Sequence, residues 1–353
     1  MYINFSSYLI SWYNENKREL PWRESRDPYV IWLSEIILQQ TRVAQGLPYF
    51  YRFLEKYPNL TSLAEASESD VLRMWQGLGY YSRARNMLIC AQTVSQEFNG
   101  IFPADYLQLR KLPGIGPYTA AAIASIAFKI AVPVIDGNVL RVMARYLAIE
   151  QDVRSPDAQN IIQKHLQEFI DPLAPNLFNQ ALMELGALIC KPGTPDCIHC
   201  PLQLECAGFR KGIAANLPIK SRKTPKRHRF FHYFVFDCDG DIFLKKRVAG
   251  DIWQGMYDFL LVELTNEKEI PDVRQFSKQI PVNDLTLKFE SDWYKHILTH
   301  QHILIKFHVY DLPLKASDVL PEGEGLKLYS NKELEALPKP VPIVRFLKEF
   351  FIN

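Results

Sequence analysis

Up to about residue 209 the apolar positions recur every three to four residues and are punctuated by proline and glycine rather than by alternation. Residues 30–40, 119–128 and 179–189 are the clearest stretches. That period predicts helices. From Phe230 the pattern changes to short aromatic and β-branched runs at 230–236, 242–246, 259–264, 285–290 and 303–310, which predict strands. Between the two lies a basic stretch broken by Pro218 and Pro225, the expected boundary. The predicted fold class is therefore multidomain, α then α+β. An all-helical domain spans 1–209, a basic linker 210–229 and a strand-bearing domain 230–353, with no internal repeat. Length agrees, since 353 residues exceed the size at which a single core keeps growing.

Composition is that of an ordinary globular chain, 48% hydrophobic and 23% charged. No apolar run approaches the length that spans a bilayer, so no membrane partner is expected. The first residues lack a basic region followed by an apolar stretch, and a reducing cytoplasm is the expected location. The overall balance of 41 basic against 39 acidic residues says little. Its distribution says more: no acidic residue occurs from Cys206 to Phe236, where Arg210, Lys211, Lys220, Arg222, Lys223, Lys226, Arg227 and Arg229 are all basic. A solvated linker and a nucleic-acid contact both fit this stretch.

Cys190, Cys197, Cys200 and Cys206 fall in one short window with spacing C-x6-C-x2-C-x5-C. In a reducing compartment such a cluster signals a metal rather than disulfides. Structural zinc usually takes two short pairs and only Cys197 and Cys200 form one here, so the spacing favours iron-sulfur while leaving zinc open. His199 is expected to face solvent, and Cys90 and Cys238 to be ordinary buried residues.

Three further features have both a structural and a chemical reading. Leu112-Pro113-Gly114-Ile115-Gly116-Pro117 is either a plain connection between helices or a tight turn whose Gly114 and Gly116 N–H groups hold a phosphate beside a helix N-terminus. Glu35 lies in a stretch apolar on most of its circumference, where it is either ion-paired or a buried acid with a raised pKa, suited to donating a proton. Asp136, ahead of Gly137 and Asn138, is a helix cap or a functional carboxylate, with the cap favoured on local grounds.

These features occur together and in one order, an arrangement that resembles the helix-hairpin-helix DNA glycosylase superfamily. Within it the chain most resembles adenine DNA glycosylases of the MutY type. The resemblance rests on Leu20-Pro21-Trp22-Arg23, Trp32-Leu33-Ser34-Glu35-Ile36-Ile37-Leu38-Gln39-Gln40-Thr41, Gly77-Leu78-Gly79-Tyr80-Tyr81-Ser82-Arg83-Ala84-Arg85 and Phe178-Asn179-Gln180-Ala181-Leu182-Met183-Glu184-Leu185-Gly186. It implies a base-excision repair enzyme that flips adenine out of a duplex opposite 8-oxoguanine or guanine and hydrolyses its glycosidic bond. It implies Glu35 as proton donor, Asp136 as the carboxylate that stabilises the sugar cation, Asn138 as their positioner, and a [4Fe-4S] cluster on the four cysteines. Arg18, Trp22, Arg23, Val43 and Glu184 would line the adenine pocket. Gln40, Thr41, Leu78 and Tyr80 would enter or support the opened base stack, with Gly114 and Gly116 on the backbone; Ser82, Arg83 and Arg85 fit either phosphate contact or a solvated helix start. Tyr118 stands where the superfamily's lyases carry a lysine, so base removal without efficient strand cleavage is expected.

The C-terminal half resembles the MutT-like, or Nudix-like, domain of the same family, which implies a mixed sheet. Asp251-Ile252-Trp253-Gln254-Gly255-Met256-Tyr257 matches its Leu-Trp-Gly-Gly-Leu-Tyr segment, and the glutamate-rich magnesium signature is missing after Gly255, which implies recognition without pyrophosphate hydrolysis. His296-Ile297-Leu298-Thr299-His300 resembles the family's His-x-Phe-Ser-His loop, which implies lesion recognition by Thr299 and His300 with Leu298 in place of the aromatic. Strand alternation is expected to scatter His296, His300, His302 and His308 over different faces. Double-stranded DNA, a monomeric protein and a nucleoid-associated cytoplasmic location complete the expectation. The rivals are a bifunctional endonuclease-III-like glycosylase and lyase, disfavoured by Tyr118, a non-catalytic iron-sulfur DNA-binding protein, and a nucleotide pyrophosphatase, which lacks its metal box.

Overall fold

The computed structural model describes residues 3–221, 226–276, 285–312 and 325–351. Arg222, Lys223 and Pro225 of the basic stretch lie outside them. The chain forms two compact units, Met1–Glu65 with Asn86–Arg222 and Ala66–Arg85 with Lys223–Asn353. The change of unit after Arg222 falls inside the expected linker. The excursion of 66–85 into the second unit does not follow from the local pattern, which is helical throughout that region.

Helices run in chain order as α1 (Ile3–Asn16), α2 (Pro28–Leu38), α3 (Val43–Lys56), α4 (Leu60–Ala64), α5 (Glu68–Trp75), α6 (Ser82–Glu97), α7 (Tyr106–Leu109), α8 (Pro117–Ile126), α9 (Gly137–Tyr146), α10 (Pro156–Phe169), α11 (Pro175–Leu188) and α12 (Ala207–Arg210). Their starts carry explicit signals. Asp27 accepts from the Tyr29 N–H ahead of Pro28, and Ser155 accepts from Ala158 ahead of Pro156. Within the first unit, Phe5, Leu9 and Tyr13 of α1 pack into one core with Met143 of α9, Leu166 and Phe169 of α10 and Phe178, Leu182 and Leu185 of α11. The Phe5 and Phe169 rings stack with centroids 4.5 Å apart. Every residue of α8 from Thr119 to Ile126 is buried, and its run of alanines lets it lie close against α2 and α11.

The turn into α8 is the predicted Leu112 to Pro117 segment. Gly114 has φ of +74°, and a Cβ there would lie 2.7 Å from that of Asn86. Both constraints call for glycine. Gly116 has an ordinary φ of −82° and is exposed at the helix start.

The second unit is built on a mixed sheet of β1 (Arg227–Cys238), β2 (Asp241–Lys246), β3 (Tyr257–Asp258), β4 (Leu260–Leu264), β5 (Thr286–Glu290), β6 (Tyr294–Ile297), β7 (Gln301–Asp311) and β8 (Leu326–Tyr329), with α13 (Asn331–Ala336) and α14 (Val341–Phe350) after it. β1 is central. It pairs in parallel with β7 and antiparallel with β2 and β4, while β7 also pairs with β5 and β6 and β2 with β3 and β8. Burial on both faces explains why β1 reads as a nearly unbroken apolar run rather than an alternating one. All five predicted runs are strands. The strands β3, β6 and β8 were not foreseen, being two to four residues long and too short for a period to register. Among the described residues no helix is long and apolar enough to cross a membrane.

Candidate active site

Glu35 sits on α2, whose other residues from Tyr29 to Ile37 are nearly all buried. The residue as a whole is not fully buried. Tyr118, one residue into α8, donates its hydroxyl to Glu35 Oε2 at 2.5 Å. Burial pushes the Glu35 carboxyl up to about 7; the Tyr118 hydrogen bond works against this and the charge of Asp136 adds to it. Among the described residues no ion pair involves Glu35, so the buried-acid reading holds over the ion-paired one. The Tyr118 hydroxyl is itself driven well above its ordinary value by burial and by the neighbouring carboxylates, Glu35 before Asp136, and stays a donor throughout the neutral range.

Asp136 is the cap of α9: its Oδ1 accepts from the Val139 N–H at 2.7 Å and its Oδ2 from Asn138 Nδ2 at 2.9 Å. Burial raises its pKa, opposed by these bonds and by the charge of Arg141. Asn138 in turn accepts at Oδ1 from Arg141 Nη2 at 2.8 Å, and Arg141 donates to the carbonyls of Gly186 and Cys190, both at 2.8 Å. A Cβ on Gly186 would lie 2.6 Å from that of Asn138, so α11 approaches the start of α9 this closely only with glycine at that position. The cap reading of Asp136 is thus observed, and its charge is near enough to Glu35 to raise that carboxyl's pKa.

Glu184, on α11, is almost fully buried. It accepts five hydrogen bonds: from the Arg18 N–H (2.9 Å), Nε (2.9 Å) and Nη2 (2.7 Å), and from Arg23 Nη1 (2.9 Å) and Nη2 (2.6 Å). Burial alone would raise its pKa, but the Arg18 and Arg23 donors overcome it and hold the carboxyl down at about 2. Arg23 also lies over the Tyr13 ring, 5.5 Å from its centroid. Trp22 packs edge-on against Phe50, and Val43 opens α3, partly exposed. At the end of α2, Gln40 is exposed with a left-handed φ of 56°, next to Thr41, whose hydroxyl donates to the Gln39 carbonyl.

The four predicted cysteines line one cavity of about 30 Å³. Arg145, 2% exposed, organises the segment around it. It donates to Cys190 Sγ (3.3 Å) and to the carbonyls of Lys191 (2.7 Å), Gly193 (2.8 Å) and Leu217 (2.9 Å). A Cβ on Gly208 would fall 2.4 Å from the Arg145 carbonyl oxygen. His199 pairs with Asp196 at the surface, and Cys90 and Cys238 are buried. Among the described residues no three His, Cys, Asp or Glu side chains are placed to hold a single metal ion. Cys190, Cys197, Cys200 and Cys206 nevertheless line this one cavity together, beside the buried guanidinium of Arg145.

In the second unit a cavity of about 570 Å³ is lined by residues 77–82, Arg85, residues 251–253 and residues 296–301. Tyr80 has a left-handed φ of 48° and its hydroxyl contacts that of Thr299. Leu78 is buried beside it. Arg83 stacks over Trp75 and donates to the Gly79 carbonyl, while Arg85 donates to that of Gln254, so both arginines brace this loop internally. Thr299 and His300 form the exposed turn between β6 and β7. Asp251 is held by Arg229 and Arg247. His296 faces Trp253, His302 faces His228, and His308 stacks on His232.

Comparison with known proteins accounts for both units. Residues 33–172 match the model of the HhH-GPD superfamily base excision DNA repair proteins, and residues 231–349 match that of the NUDIX domain. The chain is 32% identical over 356 residues to the adenine DNA glycosylase of Buchnera aphidicola subsp. Acyrthosiphon pisum (strain APS), covering 99% of this chain and 98% of that protein. The chain belongs to the adenine DNA glycosylase family. It is 45% identical to the Rattus norvegicus adenine DNA glycosylase, over 91% of this chain and 73% of that one. Among solved structures, a thermostable thymine-DNA glycosylase superposes on this glycosylase with a TM-score of 0.54 at 27% identity, covering 59% of this chain and 95% of that one.

Of the residues that sequence singled out in the glycosylase, the structure brings Glu35, Tyr118 and Asp136 into one electrostatic site, joins Arg18 and Arg23 to Glu184, gathers the four cysteines, and places Tyr80 against Thr299. Tyr118 was noticed only as the residue replacing a lysine; its bond to Glu35 had no sequence signal. Arg141 and Arg145 were missed. Their sole trace is a pair of arginines four apart on one helix next to Asp136, a pattern common on solvated helices.

Proposed function

We propose that the chain is a monofunctional glycosylase that removes adenine paired with 8-oxoguanine or guanine in double-stranded DNA, with Glu35 as general acid. The observation that supports this best is a carboxyl with its pKa near neutrality, hydrogen-bonded by a tyrosine that remains protonated, with a second carboxylate beside it. Adenine must first leave the stack, at a cost of a few kcal/mol. Glu35 then gives its proton to a ring nitrogen of the flipped base, the sugar–base bond breaks with its electron pair moving onto adenine, and the developing sugar cation faces ionised Asp136, held by Val139 and Asn138. Water attacks the sugar and Glu35 takes back a proton, as in the two-carboxylate glycosidases. Tyr118 carries no amine, so no Schiff base forms.

Arg18, Trp22, Arg23, Val43 and Glu184 bound the adenine pocket in this reading. Gln40, Thr41, Leu78 and Tyr80 meet the opened stack, and Gly114 and Gly116 meet the backbone. Both Gln40 and Tyr80 carry a left-handed backbone, uncommon for residues with a side chain. Thr299 and His300 recognise the lesion from the Tyr80 cavity. Cys190, Cys197, Cys200 and Cys206 hold a [4Fe-4S] cluster, whose contribution when bound is to staple the loop that Arg145 orders. The protein acts as a monomer in the cytoplasm, on the nucleoid.

Single-turnover excision on duplexes with adenine opposite 8-oxoguanine, guanine and thymine tests the reading. Release is expected from the first two, fastest opposite 8-oxoguanine; equal release from all three refutes lesion recognition through Thr299. Glu35→Gln is expected to bind mismatched duplex and release no adenine, and normal excision by that variant refutes the general-acid assignment. Schiff-base trapping with borohydride at lyase levels refutes the monofunctional assignment.

A further inference from the structure

The second unit holds a smaller cavity, about 230 Å³, lined by Arg73 and Gln76 at the end of α5 and by Leu334, Glu335, Lys339, Val344, Leu347 and Lys348. Lys339 is 5% exposed. Its ammonium donates to the Leu334 and Leu337 carbonyls and its backbone N–H to Gln76 Oε1 at 3.1 Å. Burial, then the facing charge of Arg73, push its pKa down to about 8, against the pull of Glu335. Arg73 and Lys348 are exposed, and among the described residues neither they nor Lys339 form an ion pair with a carboxylate. Three cations thus share a cavity with one carboxylate. Capping of α13 accounts for the two carbonyls on Lys339 but leaves Arg73 and Lys348 without a reason.

We propose that the cavity bounded by Arg73, Lys339 and Lys348 is a subsite for a phosphodiester of the DNA backbone. A guanidinium, a buried ammonium and an exposed lysine around a concavity match the charge and size of one phosphate, and such contacts fix register without reading sequence. Gln76, which the Lys339 backbone engages, leads directly into the loop of Gly77 to Tyr80, so the subsite would hold the strand next to that loop. This rests on the reading of Tyr80 as a DNA contact.

The test is equilibrium binding of the full chain across a salt series, to an undamaged duplex and to one with adenine opposite 8-oxoguanine. Arg73→Gln/Lys348→Gln is compared with Lys327→Gln/Lys332→Gln, which removes the same charge from exposed positions outside the cavity. Loss of one phosphate contact lowers the slope of log K against log salt by about 0.9, roughly an eightfold change in affinity per decade of salt. The pocket variant should show that loss on both duplexes alike, and the control pair should not. An unchanged slope, or an equal fall in both variants, overturns the subsite. Adenine release by the unaltered protein is followed in parallel, so a failure of the glycosylase reading is seen separately.

Discussion

Replacing Glu35 by glutamine is expected to stabilise the first unit while abolishing excision, and the stabilisation should depend on pH in a defined way. The folded carboxyl titrates at about 7 and an unfolded one at 4.5. A folded pKa above the unfolded value means the folded state binds the proton more tightly. Stability from this group is therefore complete below pH 4.5 and is lost as pH rises through about 7. The gap corresponds to about 3 kcal/mol. Glutamine keeps the shape and the neutral state at every pH, so the variant should gain about 3 kcal/mol over the unaltered protein at pH 8 and under about 1 kcal/mol at pH 5. Urea denaturation read by hydrogen exchange in peptides from α2 and α8 isolates the relevant unit. A difference in stability that is the same at both pH values refutes the buried acid, and a destabilised variant at pH 8 would mean that Tyr118 more than offsets the burial of the ionised carboxylate.

Tyr118→Phe removes a donor that favours ionised Glu35, at about 1.5–3 kcal/mol for a hydrogen bond to a charged group. The alkaline limb of the single-turnover pH profile should move up by about one to two pH units, and an unmoved limb or one at lower pH contradicts the assignment. Arg145→Met leaves two carbonyls of the cysteine segment, Lys191 and Gly193, and that of Leu217 without their donor; a fall in stability of about 3 kcal/mol or more is expected, together with lower iron content of the purified protein, checked by thermal melts and iron analysis. Gly208→Ala should lower the melting temperature more than Gly212→Ala: the φ of +71° at Gly212 brings backbone strain to an alanine, but only Gly208 places a Cβ against backbone, at 2.4 Å from the Arg145 carbonyl oxygen. Thr299→Val should narrow the rate difference between 8-oxoguanine and guanine opposite adenine; an unchanged ratio places recognition elsewhere.

The transition from helix to strand near Phe230, and the carboxylates and cysteines themselves, were legible because each depends on local pattern: period, capping residues and spacing. What was not legible depends on residues far apart in the chain. Residues 66–85 look like any other stretch of the helical half, yet they group with the second unit, and a local pattern does not say which core an apolar face will meet. Glu35 is 83 residues from Tyr118, and Arg145 is 72 from the Leu217 carbonyl it supports; no periodicity records such pairs. Asp136 shows the converse: its capping role follows from Asp136-Gly137-Asn138 alone, with no long-range contact needed.

The helix α11 serves three clients along a stretch of seven residues: Glu184 gathers Arg18 and Arg23, Gly186 bears on Asn138, and Cys190 opens the cysteine loop just past the helix end. Inserting one residue between Glu184 and Cys190 would turn everything beyond it by about 100° and advance it by about 1.5 Å, so no single rotation of the helix would serve all three again. Substitutions can be absorbed along α11 one at a time, but its phase cannot drift. Among glycosylases built on this plan, the distance in sequence from this glutamate to the first cysteine should vary less than any loop length around it.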